Sequence, residues 1–195
     1  MRSRPRRFFA VGLAVLAIAA LVAPVSAKPL VREHYSDSDA GEWSCGDLEG
    51  LTFEASFEGV FSLKEGRAGD PTPYLTDNYH WTFLNTNPAN GKWFREEGQG
   101  QYKDLQITNL GGTMYRFIAQ ESGPAFTIYT SDGRKLVVDH GLLRYQFDVD
   151  TLGDDDLDND IHFEDTFMLT ADHGSHPVWH MTGDEYCAIV QELLG

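Results

Sequence analysis

The most constraining stretch of this chain is Leu51–Leu63. Leu51, Phe53, Ala55, Phe57, Gly59, Phe61 and Leu63 alternate with Thr52, Glu54, Ser56, Glu58, Val60 and Ser62. A period of two over so many residues is a long strand with one wet and one dry face. Three phenylalanines on the dry face require a wide apolar interior. Gly59 among them marks a bend of the kind that curls a sheet.

Strand signals recur downstream. Asn78–Asn85 places Tyr79, Trp81 and Phe83 on one side, and Asn87-Pro88-Ala89-Asn90-Gly91 has hairpin-loop chemistry. Further strands are expected near 92–97, 102–110, 113–121, 125–130 and 135–139. Gly111-Gly112 and Gly123-Pro124 are read as separators, and Ser131-Asp132-Gly133-Arg134 as a tight hairpin. Leu143, Tyr145, Phe147 and Val149 alternate with polar residues, and Ile161, Phe163, Phe167 and Leu169 mark the last strand. The period then changes. Tyr186, Ile189, Val190, Leu193 and Leu194 form a helical stripe after Gly183, with Asp184 and Glu185 in the first turn.

Short hairpin connections imply an antiparallel meander. The expected fold is therefore all-β: eight or nine strands, closed into a β-barrel that removes its own edges, with one short C-terminal helix. A two-sheet sandwich is the alternative. Whichever forms, Phe53, Phe57, Phe61, Trp81, Phe83, Tyr145 and Phe147 face inward. They either fill the interior or line a pocket for a small apolar ligand, since barrels of about eight strands do both.

The chain opens with a secretory signal: basic MRSRPRR, an apolar run over Phe8–Ala23, then Pro24-Val25-Ser26-Ala27. Cleavage after Ala27 divides the chain into a leader (1–27), an N-terminal arm (28–50) and a barrel domain with its helix (51–195). The product is secreted and extracellular, with no stable membrane insertion once the leader is gone; the run is shorter than the roughly 20 residues of a spanning helix. Arg6-Arg7-Phe8-Phe9 also partly fits a twin-arginine signal. Cleavage removes four arginines and no acid, so the formal net charge goes from −15 to −19. Such a chain repels phosphate backbones, which argues against a nucleic-acid partner. Cys45 and Cys187 make an even count in an exported protein and predict one disulfide, worth roughly 4–5 kcal/mol by loop entropy.

The segment Gly153–Asp165, GDDDLDNDIHFED, carries seven carboxylates. With Asp154 at position 1, Asp156 and Asp158 fall at 3 and 5, Asp160 at 7 and Asp165 at 12, close to the ligand order of a calcium loop. The departures are Asn159 where the loop wants glycine, Asp165 for glutamate, and strands on both flanks. A structural Ca²⁺ of modest affinity, roughly 10⁻⁴–10⁻³ M, is expected. The competing reading is a solvated acidic hairpin loop. His173, His176 and His180 have metal-like spacing, without helical pattern or an evident acid beside them. No Gly-x-Ser-x-Gly elbow or phosphate-binding glycine loop is present. The expected role is a small-ligand-binding or interaction module. The alternative is a barrel enzyme of cyclase or isomerase type, marked by an inward ionisable group with a shifted pKa.

Taken together, the leader, REHYSDSD before an early cysteine, FLNTNPANGKW, GRKLVVDHGLLRYQFDVD before the acidic loop, and a late cysteine in a short helix resemble a group of uncharacterised secreted proteins of high-GC Gram-positive bacteria. That resemblance implies a β-barrel-like fold and no established activity. The architecture is also similar to that of lipocalins. Gly41-Glu42-Trp43 matches their short opening motif, and Thr76-Asp77-Asn78-Tyr79 matches a later one but stands far too early. No binding residue is carried over from them.

Overall fold

Turn residues stand in this chain more often than they cut it. The computed structural model describes residues 30–66, 72–153 and 159–195. In them the strands β1 (Val31–Cys45), β2 (Leu48–Lys64), β3 (Tyr74–Asn87), β4 (Lys92–Gly111), β5 (Met114–Thr130), β6 (Lys135–Asp150) and β7 (Ile161–Ser175) precede the helix α1 (Gly183–Leu194). Each strand runs antiparallel to the one before it, in a single sheet ordered β1 to β7. The all-β meander with a C-terminal helix stands. The count of eight or nine strands is corrected to seven. The expected leader, 1–27, lies outside the described residues. Among the described residues no helix is long and apolar enough to cross a membrane.

Two effects change the strand count. The segment assigned to an N-terminal arm contains β1, which pairs with β2 along its whole length. Its inner face carries Glu33, Asp37 and Asp39, opposite Phe61, Phe57 and Ala55, so hydrophobic alternation does not reveal it. Conversely, the expected breaks at 98–101, Gly123-Pro124 and Gly141 lie inside continuous strands. There the ladder slips register, between Glu97 and Gln101 and between Gly123 and Phe126, without ending. Gly123 faces Gly141, and Gly141 faces Gly174. A Cβ on Gly141 would lie 2.1 Å from the His173 carbonyl oxygen, and its φ is +139°. Only glycine allows the strands this close at such a backbone angle.

The sheet is curled but not closed. β1 and β7 are its two edges, and no ladder joins them among the described residues. Both carry carboxylates, Glu33, Asp37 and Asp39 on one and Glu164, Asp165 and Asp172 on the other. Like charges facing across a ladder oppose pairing, and inward charge blunts an edge.

One device recurs in the curl. Tyr35 of β1 faces Gly59 of β2 and reaches over it to hydrogen-bond Asp77 of β3 (2.9 Å). Trp81 of β3 faces Gly98 of β4 and lies across it to meet Phe126 of β5, ring centroids 5.3 Å apart. Tyr79 faces Gly100 and donates across it to Glu121 of β5. A Cβ on Gly98 would come within 2.3 Å of the Trp81 ring. Each missing side chain lets strands two apart touch on the inner face.

α1 closes one end of that face. Leu51, Phe94, Ile128, Val190 and Leu194 are buried there around Cys45. Thr182 and Glu185 form a reciprocal capping box at the N-terminus of the helix. At the other end the β3–β4 hairpin supplies the donors: Asn87 and Asn90 give side-chain N–H bonds to the Leu194 carbonyl at 2.8 and 2.7 Å, and Lys92 bonds the Gly195 carbonyl. The expected disulfide is present. Cys45 at the end of β1 joins Cys187 in α1, Cα atoms 5.2 Å apart.

Candidate functional site

The inner face carries two groups of aromatic rings. The first is built from β2 and β3. Phe83 meets Phe53, Phe57 and Trp81 at centroid distances of 5.6–5.7 Å, and Trp81 passes the contact on to Phe126. Under α1, Trp81, Phe83 and Phe126 border a cleft of about 500 Å³ with Glu96, Val178, Met181 and Tyr186. Phe61 lies apart, against Tyr35. So Trp81 and Phe83 line a cleft, whereas Phe57 and Phe61 pack against other rings.

The second group is built from β5, β6 and β7. Phe117 stacks on Phe147 at 5.4 Å, Tyr145 sits 6.1 Å from Phe147, and Phe167 and Trp179 approach Tyr145 at 5.2 and 6.2 Å. His162 stacks on the far side of Phe147 at 5.8 Å. The rings border a cavity of about 620 Å³ lined by Tyr102, Tyr145, Phe147, His162, Phe163, Glu164 and Phe167. Tyr145 and Phe147 are expected pocket residues. Tyr102, Phe163 and Phe167 are further lining residues, and the register of β7 against β6 shifts between Phe163 and Met168, so period two does not relate them.

Between the two groups runs a polar seam of tyrosine–carboxylate pairs. Tyr102 donates to Asp104 Oδ1 at 2.8 Å, while the Leu75 amide holds Oδ2 at 2.8 Å. Burial raises the Asp104 carboxyl above its ordinary range, against the lowering effect of those two donors. Glu96 is likewise raised by burial and held by Tyr186 Oη at 2.6 Å and Asn85 Nδ2 at 3.0 Å. Burial and the Asp77 hydrogen bond push the Tyr35 phenol up to about 12. Burial raises Tyr145 too, helped by the charges of Glu121 and Asp104. The other oxygen of the Asp77 carboxylate, Oδ1, is buried without a hydrogen-bond partner among the described residues.

The proposed calcium ligands Asp154, Asp156 and Asp158 lie outside the described residues. Asp160 immediately precedes β7, which pairs with β6 from Ile161↔Asp150 onward. Asp165 stands on β7 between Phe163 and Met168, where the ladder to β6 shifts register. The histidines have an acid beside them after all. Asp172 lies 2.7 Å from His180 Nε2 and 3.5 Å from His176 Nε2, and the His176 side chain is 2% exposed. Among the described residues no group of three or more His, Cys, Asp or Glu could hold a metal ion.

No protein-family model, no curated protein and no solved structure matches this chain. Its function has to be argued from its own geometry.

Proposed function

We propose that the protein is an exported binding module that holds a small, largely apolar molecule against the inner face of its curled sheet. The observation that carries this reading is the cavity of about 620 Å³ lined by residues of β4, β6 and β7. Its size and lining, aromatic rings with a few polar groups at the margin, are those of a small-molecule site. The glycine-spanning contacts hold the neighbouring strands in a fixed curve, so the cavity is formed before a ligand arrives. The leader and the disulfide support export, and the acidic β6–β7 loop supports a structural calcium ion as an accessory.

The second reading, a pocket enzyme, draws on Glu96, which borders the cleft under α1 with its acidity reduced by burial. Both Glu96 oxygens are engaged by fixed donors, which suits an anchor for the helix better than a proton-transfer group. The test is native mass spectrometry of protein collected from its own secretion medium, followed by titration with a neutral apolar fluorophore. Retained small molecule, or saturable binding lost in Phe147→Ala, supports the module. A protein that emerges empty and binds no apolar probe overturns it.

A further inference from the structure

We propose that the cavity lined by β4, β6 and β7 is a site for a quaternary ammonium ion bearing an apolar tail, a ligand class that rests on the binding reading above. The rings of Tyr145 and Phe167 line the cavity, and the negative face of an aromatic quadrupole attracts a cation. The charges nearby are sorted by the pleat. Tyr102, Phe117 and Tyr145 point inward, so their neighbours Lys103, Arg116 and Arg144 project to the outer face, where Arg116 pairs with Asp148 and Arg144 with Gln120. Asp104 and Glu121 point inward with the rings, opposite Ala119 and Tyr102. Glu164 adds a third carboxylate at the lining. An anionic head group would meet Glu164 at the lining, with the charges of Asp104 and Glu121 close behind Tyr102 and Tyr145. His162, the one basic side chain of the lining, lies face-on against Phe147.

The hydrogen bonding selects among cations. Asp104 has both oxygens engaged, by Tyr102 and the Leu75 amide, and Glu121 accepts from Tyr79. A primary ammonium needs acceptors for its N–H groups, and of these two carboxylates Asp104 has both oxygens and Glu121 one oxygen already bonded. A quaternary ammonium needs none and requires only charge and ring faces.

The experiment uses the disulfide-bonded mature protein and three probes with the same ten-carbon tail: decyltrimethylammonium, decanol and decyl sulfate, each below its micelle concentration. Binding is read from Trp179, whose ring lies 6.1 Å from Phe167 and 6.2 Å from Tyr145. The expected result is an affinity for the trimethylammonium probe about tenfold above that for decanol, with the sulfate weakest. Glu121→Gln should reduce that preference severalfold while decanol binding holds. Phe167→Leu, at a site already 43% exposed and so tolerant of change, should do the same. Equal binding of the cation and the alcohol overturns the ammonium site and leaves the apolar module standing. So does a cation preference that survives both substitutions, because it would then come from overall charge. Failure of all three probes overturns both readings.

Discussion

Tyr186 of α1 donates its phenol proton to Glu96 of β4 across 2.6 Å, joining residues ninety positions apart. Asn85 holds the other oxygen of the same carboxylate, so one buried acid ties the helix to two strands. Burial raises the pKa of this acid in the folded state above its unfolded value. The folded protein therefore binds the proton more tightly, and the contribution from Glu96 falls as pH rises from the ordinary glutamate range through the raised value. Glu96→Gln removes that slope. The melting temperature of Glu96→Gln relative to wild type should rise with pH over this window; a difference that does not vary with pH refutes the shift.

The fully buried and half-buried rings should separate by truncation. Phe94 is 0% exposed in the core under α1, and Phe94→Ala should cost about 3–5 kcal/mol. Phe57 is only half-buried, so Phe57→Ala should cost less, about 1–2 kcal/mol from the area it covers. Urea unfolding of the two variants provides the comparison. Equal losses would mean that the inner face is covered more deeply than the structure indicates.

Glycine tolerance should follow the sheet contacts. Gly141→Ala places a methyl against the His173 carbonyl at an unfavourable φ, and should destabilise by about 1–3 kcal/mol. Gly183→Ala, in the first turn of α1 with open space around it, should be neutral or slightly stabilising. Thermal melts of the pair test this; the reverse order would overturn the close β6–β7 approach.

Calcium tests the acidic loop. About 1 mM free Ca²⁺ acting on a site of ~0.1 mM affinity should stabilise the chelated protein by roughly 1.4 kcal/mol. Asp154→Asn with Asp158→Asn should abolish the effect, and Asp165→Asn, at position 12 of the loop, should weaken it. A melting temperature indifferent to calcium reduces the loop to a solvated turn.

The legible parts of this fold were those written in local pattern. The α1 stripe, its acidic first turn, the paired cysteines and the β2 alternation each need only a few neighbouring residues. β1 was obscured because an edge strand with inward carboxylates has no apolar alternation. The long β4, β5 and β6 were read as pieces because glycine is the same letter whether it ends a strand or seats a ring from the next one. At the candidate site, Tyr145 and Phe147 were legible as inward-facing, but the convergence of Tyr102, His162 and Phe167 on them depends on the registers of four strands. The Trp81–Phe126 contact likewise exists only because Gly98 lies between them. Such relationships are set by pairing across the sheet, which no single stretch of sequence contains.

The Cys45–Cys187 bridge makes nearly the whole sheet a covalent ring. Its two cysteines are 142 positions apart, and β2 through β7 lie between them. A single backbone cut anywhere in that interval, in the β2–β3 or the β6–β7 connection for instance, yields two chains that remain one molecule. For the exported module proposed above, a first nick by a protease is then not a loss: both fragments stay tethered, with the Leu51, Phe94 and Val190 core available to hold them in register.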